Sequence, residues 1–240
     1  MKTIIITGST KGIGKAIGIK FLKNHYYVIF NYATDDEGGK ILKEEISEYE
    51  GQFEIIKNDF LSEEKIDEFA EQVTRDGRII DMLVLNAGIT DRTPWEKMNM
   101  RQWNEVLKVN LTVPAFLIQK IGRHICKGGS ILCIGSILGE YAHSISIPYG
   151  VSKAGLHFLA ESLVKEYCGN EITINTICTG FTDTQWQKAK TEEQRNRIQK
   201  KIGLKRFAMP EEIASLAFEL LNNRYITGSV VKIDGGYCCR

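Results

Sequence analysis

The chain has 240 residues, 43% hydrophobic and 25% charged, a length and balance that suit one large α/β domain with a substantial core. Its 31 Lys and Arg against 30 Asp and Glu give a net charge of +1, which offers no support for a nucleic-acid or anionic-membrane partner. No run approaches the ~20 apolar residues of a membrane span, so the composition predicts a soluble, cytoplasmic protein.

The N-terminal apolar run Thr3–Thr7 is too short for a signal segment and reads as a buried strand. Similar runs follow at Val28–Tyr32, Phe53–Lys57, Met82–Leu85, Ser130–Ile134, Thr173–Cys178 and Val230–Ile233. They are apolar nearly throughout rather than alternating, as strands covered on both faces are. Helical spacing fills the gaps. Ile13, Ile17 and Phe21 recur every fourth residue, Leu156, Leu159, Leu163 and Tyr167 mark a helix from Tyr149 to about Tyr167, and Ile213, Leu216, Ala217, Leu220 and Leu221 mark another. No repeat, low-complexity tract or linker interrupts this rhythm, so residues 1–240 are predicted to form a single domain. Strand–helix alternation predicts right-handed crossovers and a doubly wound parallel sheet of about seven strands with helices on both faces. Ligands of such sheets bind beyond the carboxyl ends of the strands. The polar, charged stretch from Thr182 to about Gly203 has two readings, a solvated helix pair or a lid over the site.

After the first strand comes Thr7-Gly8-Ser9-Thr10-Lys11-Gly12-Ile13-Gly14. Gly8 can turn the chain tightly, Gly12 lets backbone approach a phosphate, and Gly14 permits close helix–strand contact. The free N–H groups and dipole of the following helix then favour a pyrophosphate. In dinucleotide folds an acid about 20 residues further on would favour NAD(H). Here the second strand ends at Tyr32, with Asp35 and Asp36 only afterwards, and Lys11 supplies a cation in the turn. This pattern favours NADP(H) over NAD(H); the blander reading of Lys11 is a solvated loop lysine.

Tyr149 and Lys153 are spaced i, i+4 and share a helical face. A phenol titrates near ~10, and a neighbouring ammonium lowers that value toward useful acid–base chemistry. The pair alone arises by chance about once in a chain of this composition. Its setting gives it weight. Ser136 ends the fifth strand, where a hydroxyl can orient a carbonyl, and Asn86-Ala87-Gly88 ends the fourth with a loop suited to backbone contact with a cofactor. Asn110 sits inside a helical stretch, poised for the site or simply bonding a helix carbonyl or a neighbouring loop. The six cysteines contain no C-x-x-C pair and read as free thiols, and the four histidines have no metal-ligand spacing, so no metal is expected.

Taken together, the glycine turn, Asn86-Ala87-Gly88, Asn110, Ser136, Tyr149-x-x-x-Lys153 and the terminal Asp234-Gly235-Gly236 resemble the short-chain dehydrogenase/reductase family over essentially the full length. The resemblance implies a Rossmann-like fold and a homotetramer. It implies that Tyr149 donates a proton to a carbonyl oxygen as hydride leaves the nicotinamide, and that Ser136 hydrogen-bonds the carbonyl. Lys153 would lower the Tyr149 pKa and hold the nicotinamide ribose, and Asn110 would hold a water of the proton relay. It also implies cofactor contacts at Gly8, Ser9, Thr10, Lys11, Gly12, Ile13, Gly14, Tyr32, Asp59, Phe60, Asn86, Ala87, Gly88, Tyr149, Lys153, Gly180 and Thr182, with Asp59 and Phe60 at the adenine.

Within the family the chain looks most like bacterial 3-oxoacyl-acyl carrier protein reductases, through Asn31-Tyr32-Ala33, Asn86-Ala87-Gly88-Ile89-Thr90 and Leu204 to Ile213. Three departures separate it from them. Thr179 replaces the family proline before Gly180, which would loosen that turn. The loop Ala142–Pro148 lacks the usual pattern, and Asn170 and Glu171 occupy the region of a carrier-docking arginine, leaving Lys127 as a docking cation. The alternative substrates are a steroid, a sugar or another small ketone. An inactive cofactor-binding regulator and a methyltransferase leave Tyr149, Lys153 and Ser136 without a purpose.

Overall fold

The computed structural model describes residues 1–188 and 190–239. Its strands are β1 (Thr3–Ile6), β2 (Tyr27–Tyr32), β3 (Phe53–Lys57), β4 (Ile80–Leu85), β5 (Ile125–Ser136), β6 (Thr173–Thr179) and β7 (Val230–Ile233). They pair in parallel in the order β3-β2-β1-β4-β5-β6-β7. The chain runs outward from β1 to β3, then crosses back to β4, so the strand order reverses between β1 and β4 and opens a crevice at their carboxyl ends. Each apolar run singled out in the sequence is a strand. β5 begins earlier than its apolar stretch suggests, because Ile125 pairs with Ile80 ahead of an irregularity through Gly128, where φ is +74°.

The helices are α1 (Gly12–Leu22), α2 (Asp36–Glu45), α3 (Glu63–Thr74), α4 (Met100–Leu107), α5 (Val113–Gly122), α6 (Ile147–Ser162), α7 (Val164–Tyr167), α8 (Gln185–Lys188), α9 (Glu192–Gln199) and α10 (Pro210–Asn222). Strand side chains point alternately to the two faces, and each face builds its own core. Ile5, Ile29, Leu83 and Ile131 pack with Phe69, Leu117 and Leu156 of α3, α5 and α6. Ile4, Ile6, Phe30 and Val84 pack with Ile17, Phe21, Leu42 and Leu221 of α1, α2 and α10. Burying each such side chain is worth roughly 1.5–3 kcal/mol before entropy is counted.

The helix expected from Tyr149 to about Tyr167 is two helices. The Ser162 hydroxyl donates back to the Phe158 carbonyl at 2.7 Å, a bond that bends helices, and α7 resumes after Leu163. The charged stretch after Thr182 is a helix pair, α8 and α9, the latter started by a Thr191–Gln194 capping box. No described helix is long and apolar enough to cross a membrane.

Candidate active site

The glycine turn and the loop after β4 interlock at the crevice. Gly8 and Gly12 have φ of +61° and +57°, in the left-handed region that side chains disfavour. A Cβ on Gly8 would lie 2.8 Å from the Ala87 Cα, and one on Gly14 would lie 2.5 Å from the Asn86 Nδ2. Asn86 Nδ2 donates to the carbonyls of Gly8 (2.7 Å) and Thr7 (3.0 Å), while Thr7 Oγ1 accepts from the N–H groups of Asn86 and Ala87. α1 starts from Lys11 with no side-chain cap, which leaves first-turn N–H groups free for an anion. A cleft lined by Lys11, Gly12, Lys15, Thr184 and Lys188 opens there.

Three residues expected to meet the cofactor are turned inward. Ser9 is fully buried; its hydroxyl donates to the Ile6 carbonyl at 2.8 Å and accepts from the Asn31 N–H at 3.0 Å, tying β1 to β2. The Phe60 ring lies in the core, edge-on to Phe69 with centroids 5.0 Å apart. Ile13 likewise packs onto the α1 core cluster. Asp59 stays half-exposed and caps the Leu61 N–H at 3.1 Å.

The fold brings to Lys11 an acid that the sequence places beyond the end of β2. Asp35 folds back onto the turn, where Oδ2 lies 2.8 Å from Lys11 Nζ and accepts from Thr10 Oγ1 at 2.8 Å. The same carboxylate caps α2 through the Gly38 N–H, and the Lys11 and Thr10 hydrogen bonds pull its pKa below the ordinary aspartate value. Asp35 follows β2 by three residues, and only the tight entry into α2 brings it to Lys11. Tyr32, at the end of β2, packs its ring on Gly39, where an added Cβ would lie 3.0 Å from it.

The catalytic candidates converge at the carboxyl end of β5. Ser136 closes that strand, and Ser146, held at φ +66°, starts α6 with Pro148 in its first turn, so that Tyr149 and Lys153 face Ser136. Burial pushes the Tyr149 phenol up to about 12, while the nearby Ser136 hydroxyl pulls the other way. Lys153 is buried, its Nζ donates to the Ile134 carbonyl at 2.7 Å and sits 5.7 Å above the Tyr149 ring rather than at its oxygen, and burial lowers its own pKa to about 8. Burial is the largest influence on both groups.

Asn110 lies in a π-helical turn, Lys108–Thr112, between α4 and α5. Its Oδ1 accepts from the Ile89 N–H at 2.8 Å, and its Nδ2 donates to the Ile89 carbonyl at 2.9 Å and to Ser152 Oγ at 3.0 Å. It clamps the loop after Gly88 to α6. A Cβ on Gly88 would lie 3.3 Å from Asn110 Oδ1 and 3.7 Å from Lys153 Nζ, so a side chain here would crowd both groups.

After β6 the turn is tight rather than loosened. Thr179 Oγ1 donates to the Gly135 carbonyl at 3.0 Å, Gly180 N–H donates to the Ile233 carbonyl at 2.9 Å, and a Cβ on Gly180 would lie 2.6 Å from the Asp234 Cα. Thr182 bridges to Ala208, and its buried Oγ1 has no partner. Such an orphaned hydroxyl, together with the glycine cradle and the uncapped α1 amides, fits a dinucleotide whose amide and phosphates would satisfy them. Two residues the sequence reading missed belong here. Trp186 of α8 lies edge-on to Tyr149 with centroids 5.7 Å apart, and His157 of α6 accepts from the Ser136 N–H at 3.3 Å. Neither carries a motif; each is found only by its place in space. Among the described residues no cluster of His, Cys, Asp and Glu is placed to hold a metal.

A family model described as Enoyl-(Acyl carrier protein) reductase matches residues 8–238. The 3-oxoacyl-[acyl-carrier-protein] reductase FabG of Aquifex aeolicus (strain VF5) is 35% identical over 240 residues, covering 98% of this chain and 96% of that protein. Glucose 1-dehydrogenase 2 of Bacillus subtilis (strain 168) is 32% identical, covering 98% and 94%. Among solved structures, a short-chain dehydrogenase/reductase from Serratia marcescens BCRC 10948 superposes with a TM-score of 0.91 at 27% identity, over 98% of this chain and 97% of that one. BdcA in complex with NADPH gives 0.88 at 27% identity, over 98% and 93%.

Proposed function

As the chain belongs to the short-chain dehydrogenase/reductase family, we propose that it is an NADP(H)-dependent oxidoreductase that reduces a ketone to a secondary alcohol, with a 3-oxoacyl thioester as substrate class. The observation that carries this reading is the meeting of Tyr149, Lys153 and Ser136 at the β5 edge, beside the glycine turn. Bound there, a nicotinamide supplies the hydride. The turn from Gly8 to Gly14, the loop Asn86-Ala87-Gly88, Lys153, Gly180 and Thr182 are the residues that would hold it.

The chain's own groups account for the proton. Tyr149 is neutral at cellular pH, since its phenol is raised to about 12, and so keeps a proton to give to the carbonyl oxygen. Ser136 donates a hydrogen bond to the same oxygen and stabilises the charge that develops on it. Asn110 fixes the loop at Ile89, and with it the width of the crevice. Trp186 covers the Tyr149 ring and excludes water from it.

NADP(H) is favoured by Lys11 in the turn and by Tyr32 in place of an acid at the strand end. Asp35 opposes it, so the preference rests on the balance of Lys11 and Asp35. A homotetramer is supported by apolar side chains that α5 and α6 leave in solvent, Phe116, Val151 and Phe158, the last 72% exposed.

One observation favours the second reading, a small free ketone or sugar. Lys127 is paired with Glu171 at 2.8 Å, which cancels the cation expected to dock an acidic carrier. Following NADPH oxidation across acyl carrier protein thioesters, CoA thioesters, ketosteroids and keto sugars decides between them. Turnover confined to sugars or steroids selects the second reading, and no turnover on any carbonyl contradicts both.

A further inference from the structure

Helix α6 carries a third polar side chain in line with Tyr149 and Lys153. His157 follows Lys153 by one helical turn and Tyr149 by two, so the three share a face. His157 is 6% exposed and lies behind Ser136. The backbone N–H of Ser136 donates to its Nε2 at 3.3 Å. That bond completes the ladder where β5 ends and the chain must leave the sheet; without it the last N–H of the strand would be buried and unpaired.

The surrounding sequence makes room for the ring. A Cβ on Gly135 would lie 2.2 Å from His157 Nε2, and one on Gly139 would lie 2.9 Å from its Cε1. Glycines just before and three residues after Ser136 thus leave a slot that the imidazole fills. As an acceptor, Nε2 must be unprotonated. Burial lowers the His157 pKa to about 4, Lys153 acting in the same direction and Glu140 against it.

We propose that His157 is a positioning residue for Ser136, its Nε2 accepting from the Ser136 N–H and so fixing the direction in which the hydroxyl meets the substrate carbonyl. The inference rests on the reductase reading above. His157 touches neither substrate nor the crevice; it acts only through the Ser136 peptide.

The test compares His157→Leu and His157→Gln with the parent enzyme, alone and combined with Ser136→Ala. His157→Leu is expected to lower kcat about 10- to 100-fold, the cost of a misplaced reacting group, with NADPH affinity of the substrate-free protein unchanged on fluorescence titration. Gln, which offers an acceptor of similar reach, should restore most of the loss. In the Ser136→Ala background, His157→Leu should cost nothing more, because both changes remove the same interaction. Additive losses, or a folded His157→Leu enzyme with kcat within twofold of the parent, would overturn the proposal. Should both variants fail to fold, the 15N shift of Nε2 in the wild-type protein decides: a protonated Nε2 at neutral pH also overturns it. Absence of NADPH oxidation by the parent enzyme with every carbonyl of the panel would instead sink the reductase reading, which keeps the two failures apart.

Discussion

Lys11 Nζ and Asp35 Oδ2 lie 2.8 Å apart, so the cation that would greet a 2′-phosphate is already partnered by an acid. Replacing Asp35 with Asn keeps the oxygen that caps α2 and removes the charge. Relief of one like-charge contact at a partly exposed site amounts to ~1 kcal/mol, about fivefold in affinity. Asp35→Asn should therefore tighten NADPH about fivefold and leave NADH nearly unchanged, measured by titration of the substrate-free protein. An unchanged NADPH-to-NADH ratio would remove Asp35 from the specificity balance.

Lys153 makes a prediction with two opposite signs. Its pKa falls to about 8 on folding, so between that value and the ordinary 10.5 the unfolded chain binds more protons, and stability rises with pH across this window. Below pH 8 the buried ammonium is a cost. Lys153→Met should abolish reduction yet raise Tm by a few degrees at pH 7, and this advantage should shrink by pH 9.5. A Tm lower than the parent's at both pH values contradicts the account.

The same group sets the alkaline limb of activity. kcat/KM reports ionisations of the free enzyme, and the Lys153 ammonium is lost above about 8. The pH profile of reduction should be level to pH 7 and fall above pH 8. Tyr149, raised to about 12, should contribute no break in that range.

Trp186 of α8 packs edge-on to Tyr149. An aromatic contact of this kind is worth ~0.5–1.5 kcal/mol. Trp186→Ala should raise KM up to about tenfold with kcat within threefold, and Trp186→Phe should stay near the parent. A larger loss in kcat than in KM would assign Trp186 to the chemistry itself.

At Gly14 the close approach of Asn86 Nδ2 and the Gly8 carbonyl, 2.5 and 2.8 Å from an added Cβ, leaves no room for alanine. Overpacking of this sort costs ~1–3 kcal/mol. Gly14→Ala should lower Tm by roughly 3–10 °C and weaken both dinucleotides, as calorimetry and titration would read.

The middle of the sheet was legible because strands such as Thr3–Ile6 are buried on both faces, and so nearly unbroken an apolar run does not read as an amphipathic surface. Tyr149, Lys153, Ser136 and Asn110 were legible because strand ends and helix starts put them at one edge. What sequence order could not express was direction. The Phe60 ring enters the core because its backbone turns at φ +54°, and the Ser9 hydroxyl is claimed by Ile6 and Asn31. Spacing places Lys153 near Tyr149, but whether desolvation or attraction rules the phenol depends on burial, which spacing does not report. Asp35 reaches Lys11, and His157 reaches Ser136, across turns whose geometry only the folded chain defines.

The central claim is that Tyr149 gives the proton to the carbonyl. Tyr149→Phe keeps the ring against Trp186 and removes only the hydroxyl. With NADPH and the best substrate of the panel, the account predicts a fall in kcat of at least ~10²-fold, the usual worth of a positioned general acid, with NADPH affinity and Tm preserved. A well-folded Tyr149→Phe enzyme that oxidises NADPH at the parent rate would contradict it.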